Sequence, residues 1–291
     1  MLLLSLFFGT NLVVSRFGLG QFHPVGFVAL RMPIAAALCL LWVRLQYGRL
    51  PRGRDLWLHG SLVGVFATAI PMLCFVSALL FQSSGVTALM ITLVPVAAML
   101  YGHVRLEDDP LTPRKILGAV VSFAGVGLLL ITGQTGVDGS RWEGFALVMV
   151  GVASAGYGIV HLRKHLRDER SLDLAAVRLT AATAVTVPVA LFVGGYDLAA
   201  VEWSGIAALI YGVLPGTLFG FVLYSYLVAR FGPSKATQSE YVVPVIATIT
   251  GAIFLEERVT IITILGMITV FAGIAIATAR RAAPVKAIEK R

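Results

Sequence analysis

The sequence predicts an all-α integral membrane protein with ten transmembrane helices, arranged as two inverted five-helix repeats. Three observations carry this expectation. The first is composition. Of 291 residues, 58% are hydrophobic and only 13% are charged, against about 25% charged in soluble domains, and the mean hydropathy is +0.88. The second is a segment that occurs twice. Residues 86–131 and 235–277 are each expected to carry an apolar helix centred on a V-P-V step, a short acidic loop, a Leu-Gly, and Phe-Ala-Gly inside a second apolar helix. Pro95 answers to Pro244, Glu107 to Glu256, Gly118 to Gly266, and Phe123-Ala124-Gly125 to Phe271-Ala272-Gly273. The third is where the basic residues fall.

A helix needs roughly 20 residues to cross the hydrocarbon core. Nine breaks, marked by Pro, Gly or charge, leave ten segments. They fall at Gln21–Pro24, Arg44–Asp55, Gln82–Gly85, Glu107–Arg114, Gly133–Arg141, Arg163–Asp173, Gly194–Glu202, Ala229–Lys235 and Glu256–Thr260. The first segment opens on Met1-Leu2-Leu3-Leu4 with no basic n-region and no A-x-A cleavage site. It is expected to be a retained helix, short by a few residues, and not a signal peptide.

Place the N-terminus in the cytoplasm. The loops after the second, fourth, sixth and eighth helices, with the C-terminal tail, then collect 19 of the 23 Lys and Arg. Only Arg16, Arg31, Arg141 and Arg258 remain for the other side. The positive-inside rule therefore predicts cytoplasmic termini. Five helices per repeat is an odd number, so the copies enter the membrane in opposite directions. Ala29-Leu30-Arg31 pairs with Ala176-Val177-Arg178 in the same scheme. Inverted repeats of this kind build secondary transporters, with the substrate between the halves near mid-membrane. The expected boundaries are 1–133 for the first repeat, 142–281 for the second and 282–291 for a cytoplasmic tail.

Several functions are excluded. The net charge of +8 sits in loops where topology wants it, so no nucleic-acid partner is expected. There is no H-E-x-x-H, no G-x-S-x-G and no paired intramembrane aspartates, so an enzyme is not expected. No G-x-x-x-x-G-K-[ST] supports ATP-driven transport. No cofactor and no metal set is expected. Cys39 and Cys74 lie inside apolar runs and read as small buried residues. The acids Glu107-Asp108-Asp109 read as a solvated loop and helix cap.

These residues resemble the EamA-type branch of the drug/metabolite transporter superfamily over nearly the whole chain. The resemblance rests on Gly9-Thr10-Asn11, Ala29-Leu30-Arg31, the P-V steps followed by acidic loops, and the closing F-A-G helices. Each element is weak alone; their order, spacing and duplication are specific. The resemblance implies a multi-pass protein of the bacterial inner (plasma) membrane that exports or exchanges small metabolites such as amino acids. It also implies a central cavity lined mainly by the third, fourth, eighth and ninth helices, with the first and sixth contributing.

Glu240 is the leading candidate for substrate contact. A carboxylate inside an apolar run costs roughly 2.5–3.5 kcal/mol, so it should face a cavity or a partner. Helical spacing puts Thr237, Glu240, Pro244, Thr248 and Gly251 on one face. Pro244 also frees the carbonyl four residues back, that of Glu240. The other candidates are Tyr241, Asn11, Tyr157, Tyr224 and Phe75. Thr217, Phe221 and Tyr224 share a face of the eighth helix, and Thr68, Pro71, Met72 and Phe75 a face of the third; such aromatic and polar walls suit an amphiphilic metabolite. Arg31 is expected to be structural, lying roughly 10 Å in depth from Glu240 in a core about 30 Å thick. His161 is expected at the interface. The pairs Gly60–Gly64 and Gly216–Gly220 are expected to pack helices within a monomer or weak dimer. The expected partners are a small-molecule substrate and the bilayer, with protons coupled through Glu240 or simple exchange. A lipid or polyprenyl-carrier flippase is the alternative the same architecture allows.

Overall fold

A computed structural model describes residues 2–106, 110–132, 142–196, 198–199, 201–231 and 241–278. The described residues form ten membrane helices. They are α1 (Leu2–Gly18), α2 (Pro24–Tyr47), α3 (Arg54–Ala78), α4 (Ser84–Arg105), α5 (Pro113–Thr132), α6 (Trp142–His165) and α7 (Ser171–Phe192), followed by α8, α9 (Val243–Leu255) and α10 (Ile261–Thr278). Helix α8 comprises Trp203–Val213, a π-helical turn Leu214–Phe219 and Gly220–Phe231. Eight of the ten are long and apolar enough to span a bilayer, and α1 and α9 are shorter apolar helices. Large apolar side chains such as Ile131, Phe192, Phe254 and Ile261 stand exposed, as lipid-facing residues must. The ends joined by 47–54, 105–113 and 165–171 form what we term the basic face.

The packing obeys a pseudo-twofold. Helices α2 and α7, α4 and α9, and α5 and α10 pack copy on copy. The contact of α3 with α6 is matched by α8 with α1, that of α4 with α6 by α9 with α1, and that of α3 with α7 by α8 with α2.

The repeated glycines explain the closest of these contacts. A Cβ on Gly118 would stand 2.5 Å from the Gly273 carbonyl oxygen, and one on Gly125 2.9 Å from that of Gly266. Ser122 donates to the Gly118 carbonyl at 2.9 Å and reaches that of Val270 at 3.4 Å. The L-G and F-A-G motifs are thus the interface of α5 with α10, where small residues let backbones meet. The two GxxxG pairs also act within the monomer. Gly60 and Gly64 seat α3 against Val177, Arg178 and Ala181 of α7, while Gly216 and Gly220 seat α8 against Asn11 and Phe8 of α1.

Helix α3 is interrupted by a π-helical turn at Val65–Ala69, matched by Leu214–Phe219 in α8. Proline contributes to both: Pro71 follows the first turn and Pro215 lies in the second. A proline cannot donate to the carbonyl four residues back, so the ladder must adjust.

The V-P-V steps correct one expectation. They were expected at the centres of continuous helices. Instead α4 is broken into Ser84–Ile91 and Val94–Arg105, with Pro95 in the first turn of the second piece. Helix α9 starts at Val243 after a tight turn at Tyr241–Val242, again with Pro244 in its first turn. The ring fits a helix start, where its missing N–H is no loss, better than a helix interior. Thr237, Glu240 and the acids 107–109 lie outside the described residues.

Candidate functional site

Two arginines occupy equivalent positions and face opposite ends of the membrane. Arg31 lies seven residues into α2, counted from the face opposite the basic one. It is completely buried. Its Nε donates to Thr217 Oγ1 at 2.5 Å and Nη2 approaches the Gly216 carbonyl at 3.5 Å, both in the π-turn of α8. The Thr217 hydroxyl in turn donates a hydrogen bond to the Gly212 carbonyl at 2.8 Å. Arg178 lies seven residues into α7, counted from the basic face. Its Nη2 donates to Thr68 Oγ1 at 3.1 Å and to the Ala67 carbonyl at 3.3 Å, both in the π-turn of α3. Ala67 is the residue whose carbonyl Pro71 cannot serve, so a missing backbone donor is replaced by a guanidinium.

The surroundings of the pair differ. Arg31 is sealed. Arg178 lines a cavity of about 110 Å³ shared with Thr68, Leu162, Ser171, Leu174, Phe221 and Tyr224. The Arg178 guanidinium sits 5.2 Å from the centre of the Phe221 ring, a cation–π distance. The lining runs from Ser171, the first residue of α7, inward to Thr68, so the cavity extends from the basic-face rim to about 10 Å depth at 1.5 Å per residue. One water needs about 10–15 Å³ of such volume, so the cavity has room for several waters or a carboxylate headgroup.

The opposite face is fastened by charge. Glu257 in the α9–α10 loop is buried and pairs with Arg16 Nε at 3.1 Å. The same carboxylate accepts from the backbone N–H of Ser84 at 2.9 Å and from its hydroxyl at 2.8 Å. Arg16 also donates to the Gln82 carbonyl at 2.6 Å. Glu256 makes this possible: it ends α9 in the left-handed conformation, φ 53°, and turns Glu257 back so that its N–H meets the Gly251 carbonyl at 3.2 Å. Gln21 adds a second tie, donating to Ser204 at 2.7 Å and accepting from the Glu202 N–H at 2.8 Å. Together these bonds join α1, the α3–α4 loop, the α9–α10 loop and the start of α8.

The profile of the EamA-like transporter family matches residues 1–131 and again 142–279. The chain belongs to this family. The relatives of this EamA-like transporter are distant but nearly full-length. An uncharacterized transporter of Archaeoglobus fulgidus is 24% identical, covering 96% of each chain. The uncharacterized inner membrane transporter YedA of Escherichia coli is 25% identical over 85% of this chain and 79% of its own. A probable terminal-alkyne amino-acid exporter of Streptantibioticus cattleyicolor is 26% identical over 83% of this chain and 80% of its own. A solved crystal structure superposes with a TM-score of 0.64 at 18% identity, covering 94% of this chain and 95% of its own, which shows the fold.

Of the candidates named from sequence, Tyr224 is at the cavity. Asn11 is buried against Gly216, behind the Arg31 site. Phe75 is buried against Gly151 in the core between α3 and α6. Thr248 packs on Gly85, joining α9 to α4. Tyr241 packs edge-on against Phe271 at 6.4 Å. Tyr157 sits between Phe66 at 5.0 Å and Tyr101 at 5.9 Å, with Arg105 over its ring at 5.4 Å. The cavity of this EamA-like transporter is instead built around Arg178, which the A-L-R/A-V-R repeat marked without assigning it a role. Glu257 gave no signal of its own, being one of two adjacent acids in a loop.

Proposed function

We propose that this EamA-like protein is a secondary transporter, an exporter or exchanger of small metabolites that carry an anionic group, amino acids among them. The observation that carries the reading is the unequal state of an equal pair. Arg31 is sealed beneath a fastened face while Arg178 lines a cavity reaching the other. Alternating access about a pseudo-twofold requires one of two equivalent paths to be open and the other shut. In this reading the basic face is cytoplasmic, both termini are inside, the cavity is inward-facing, and Arg178 with Tyr224 and Thr68 receives the substrate's carboxylate. Phe221 and Leu162 would receive its apolar part. The name of the Streptantibioticus relative, an amino-acid exporter, and that of YedA, an inner membrane protein, support the substrate class and the location. Glu240 is proposed as the proton-coupling carboxylate.

The test is counterflow in proteoliposomes loaded with a panel of amino acids and related amphiphilic acids. Arg178→Gln should fold and lose exchange; wild-type exchange in that variant overturns the assignment of Arg178. Glu240→Gln should keep exchange and lose gradient-driven flux. Movement of a lipid-carrier analogue, with no exchange of any soluble acid, would favour a flippase.

A further inference from the structure

We infer that His59, His161 and His165 form a transition-metal site at the basic-face end of α3 and α6. These are three of the five histidines in the chain. They come from two helices, and the pair on α6 is spaced i, i+4, which puts both on one face. One ring nitrogen from each of the three lies within 4.8 Å of those of the other two. His59 Nδ1 is 3.1 Å from His161 Nε2. The rings of His59 and His165 are 4.2 Å apart and those of His161 and His165 4.6 Å.

The spacing is what a metal needs. Zinc–imidazole bonds of about 2.0–2.1 Å in a tetrahedron set the ligand nitrogens roughly 3.3–3.4 Å apart. His59 and His161, at 3.1 Å, lie within a few tenths of an ångström of that edge. His165 is exposed and needs only turn about its side-chain torsions to bring a nitrogen from its stacked position to the third vertex. Neutral imidazoles suit Zn²⁺, Ni²⁺ and Cu²⁺. Three protein ligands leave a fourth position for water or an anion. Arg105 and Lys164 face the cluster; they weaken the hold on a dication and favour an anion as the fourth ligand. The expected affinity is therefore moderate, in the micromolar range.

The position gives the site a consequence. Helix α3 belongs to the first repeat and α6 to the second. Leu162, next to His161, lines the cavity. A bound metal would staple the two repeats together at the cavity mouth.

The experiment uses the full chain, with any purification tag removed, in detergent. Zn²⁺ and Ni²⁺ are titrated against a chromophoric chelator, and the thermal midpoint is followed with and without metal. One saturable equivalent and an upward shift in midpoint are expected. His165→Ala, which alters only an exposed residue, should weaken binding at least roughly tenfold and remove the metal-dependent shift. His23→Ala should change neither. No saturable binding below about 100 µM, or wild-type binding by His165→Ala, overturns the proposal and leaves a His59–His161 hydrogen bond as the role of the cluster. None of these readouts depends on transport, so the site stands or falls apart from the proposed function.

Discussion

Arg31 and Arg178 hold the same place in the two repeats, and each donates to a threonine in the π-helical turn of the other repeat. The pairing crosses the pseudo-twofold: α2 reaches α8 and α7 reaches α3. Each arginine therefore measures the separation of the halves on its own side of the membrane. One threonine is completely buried and the other borders the cavity. Four consequences can be tested.

Thr217→Val removes the acceptor of a buried guanidinium N–H. A charged donor stranded in that way costs about 1.5–3 kcal/mol. Thr68→Val strands a donor beside a cavity that water can enter, and should cost under about 1 kcal/mol. Unfolding by SDS titration or thermal midpoint should rank Thr217→Val clearly below Thr68→Val. An equal loss for the two would mean that the arginines are equally solvated.

Glu257→Ala takes the acid from the cluster on the opposite face. Removing one member of a buried pair costs about 3–5 kcal/mol, and the partial exposure of Arg16, 21% for its side chain, points to the low end. The loop also loses its hold on Ser84. A Ser84→Cys reporter in a Cys39→Ala/Cys74→Ala background should react slowly with an impermeant thiol reagent and much faster once Glu257→Ala is added. An unchanged rate would remove the cluster as a closure.

Gly125→Leu drives a side chain into the Gly266 carbonyl and Val270 of α10. Folded, monodisperse protein should be lost. Gly127 is the control, because a Cβ there meets nothing within 4 Å. Gly127→Leu should express normally and can gain up to about 1 kcal/mol from helix propensity. Size-exclusion yield distinguishes them.

Tyr224→Phe keeps the apolar wall of the cavity and deletes one hydroxyl. One hydrogen bond of about 1 kcal/mol corresponds to about a fivefold rise in KM for the anionic substrate, with maximal flux unchanged. A fall in maximal flux at constant KM would place Tyr224 outside the site.

Much of the fold could be read in the sequence because its determinants are local and doubled. Gly118, Gly125, Gly266 and Gly273 repeat because each must let the other copy's backbone approach. The helix starts at Val94 and Val243 are harder to read: a proline in an apolar run looks the same at a helix centre as at a helix start. The site was only partly legible. Arg31 and Arg178 were visible as a pair, but α3 and α8 supply their acceptors across 110–186 residues of chain, a distance that no local pattern spans. Glu240 stands out in the sequence because an acid in an apolar run is conspicuous. Glu257 is buried but sits in a loop, where an acid looks ordinary. Phe75 and Thr248 stand in line with small or polar residues, yet each packs on a glycine of another helix.

A π-helical turn is one residue too many for an α-helix. Both α3 and α8 carry that residue, at positions 149 apart. The arginine of each repeat bonds the turn of the other, so neither half completes its own site. The two halves must come together before either guanidinium finds its threonine.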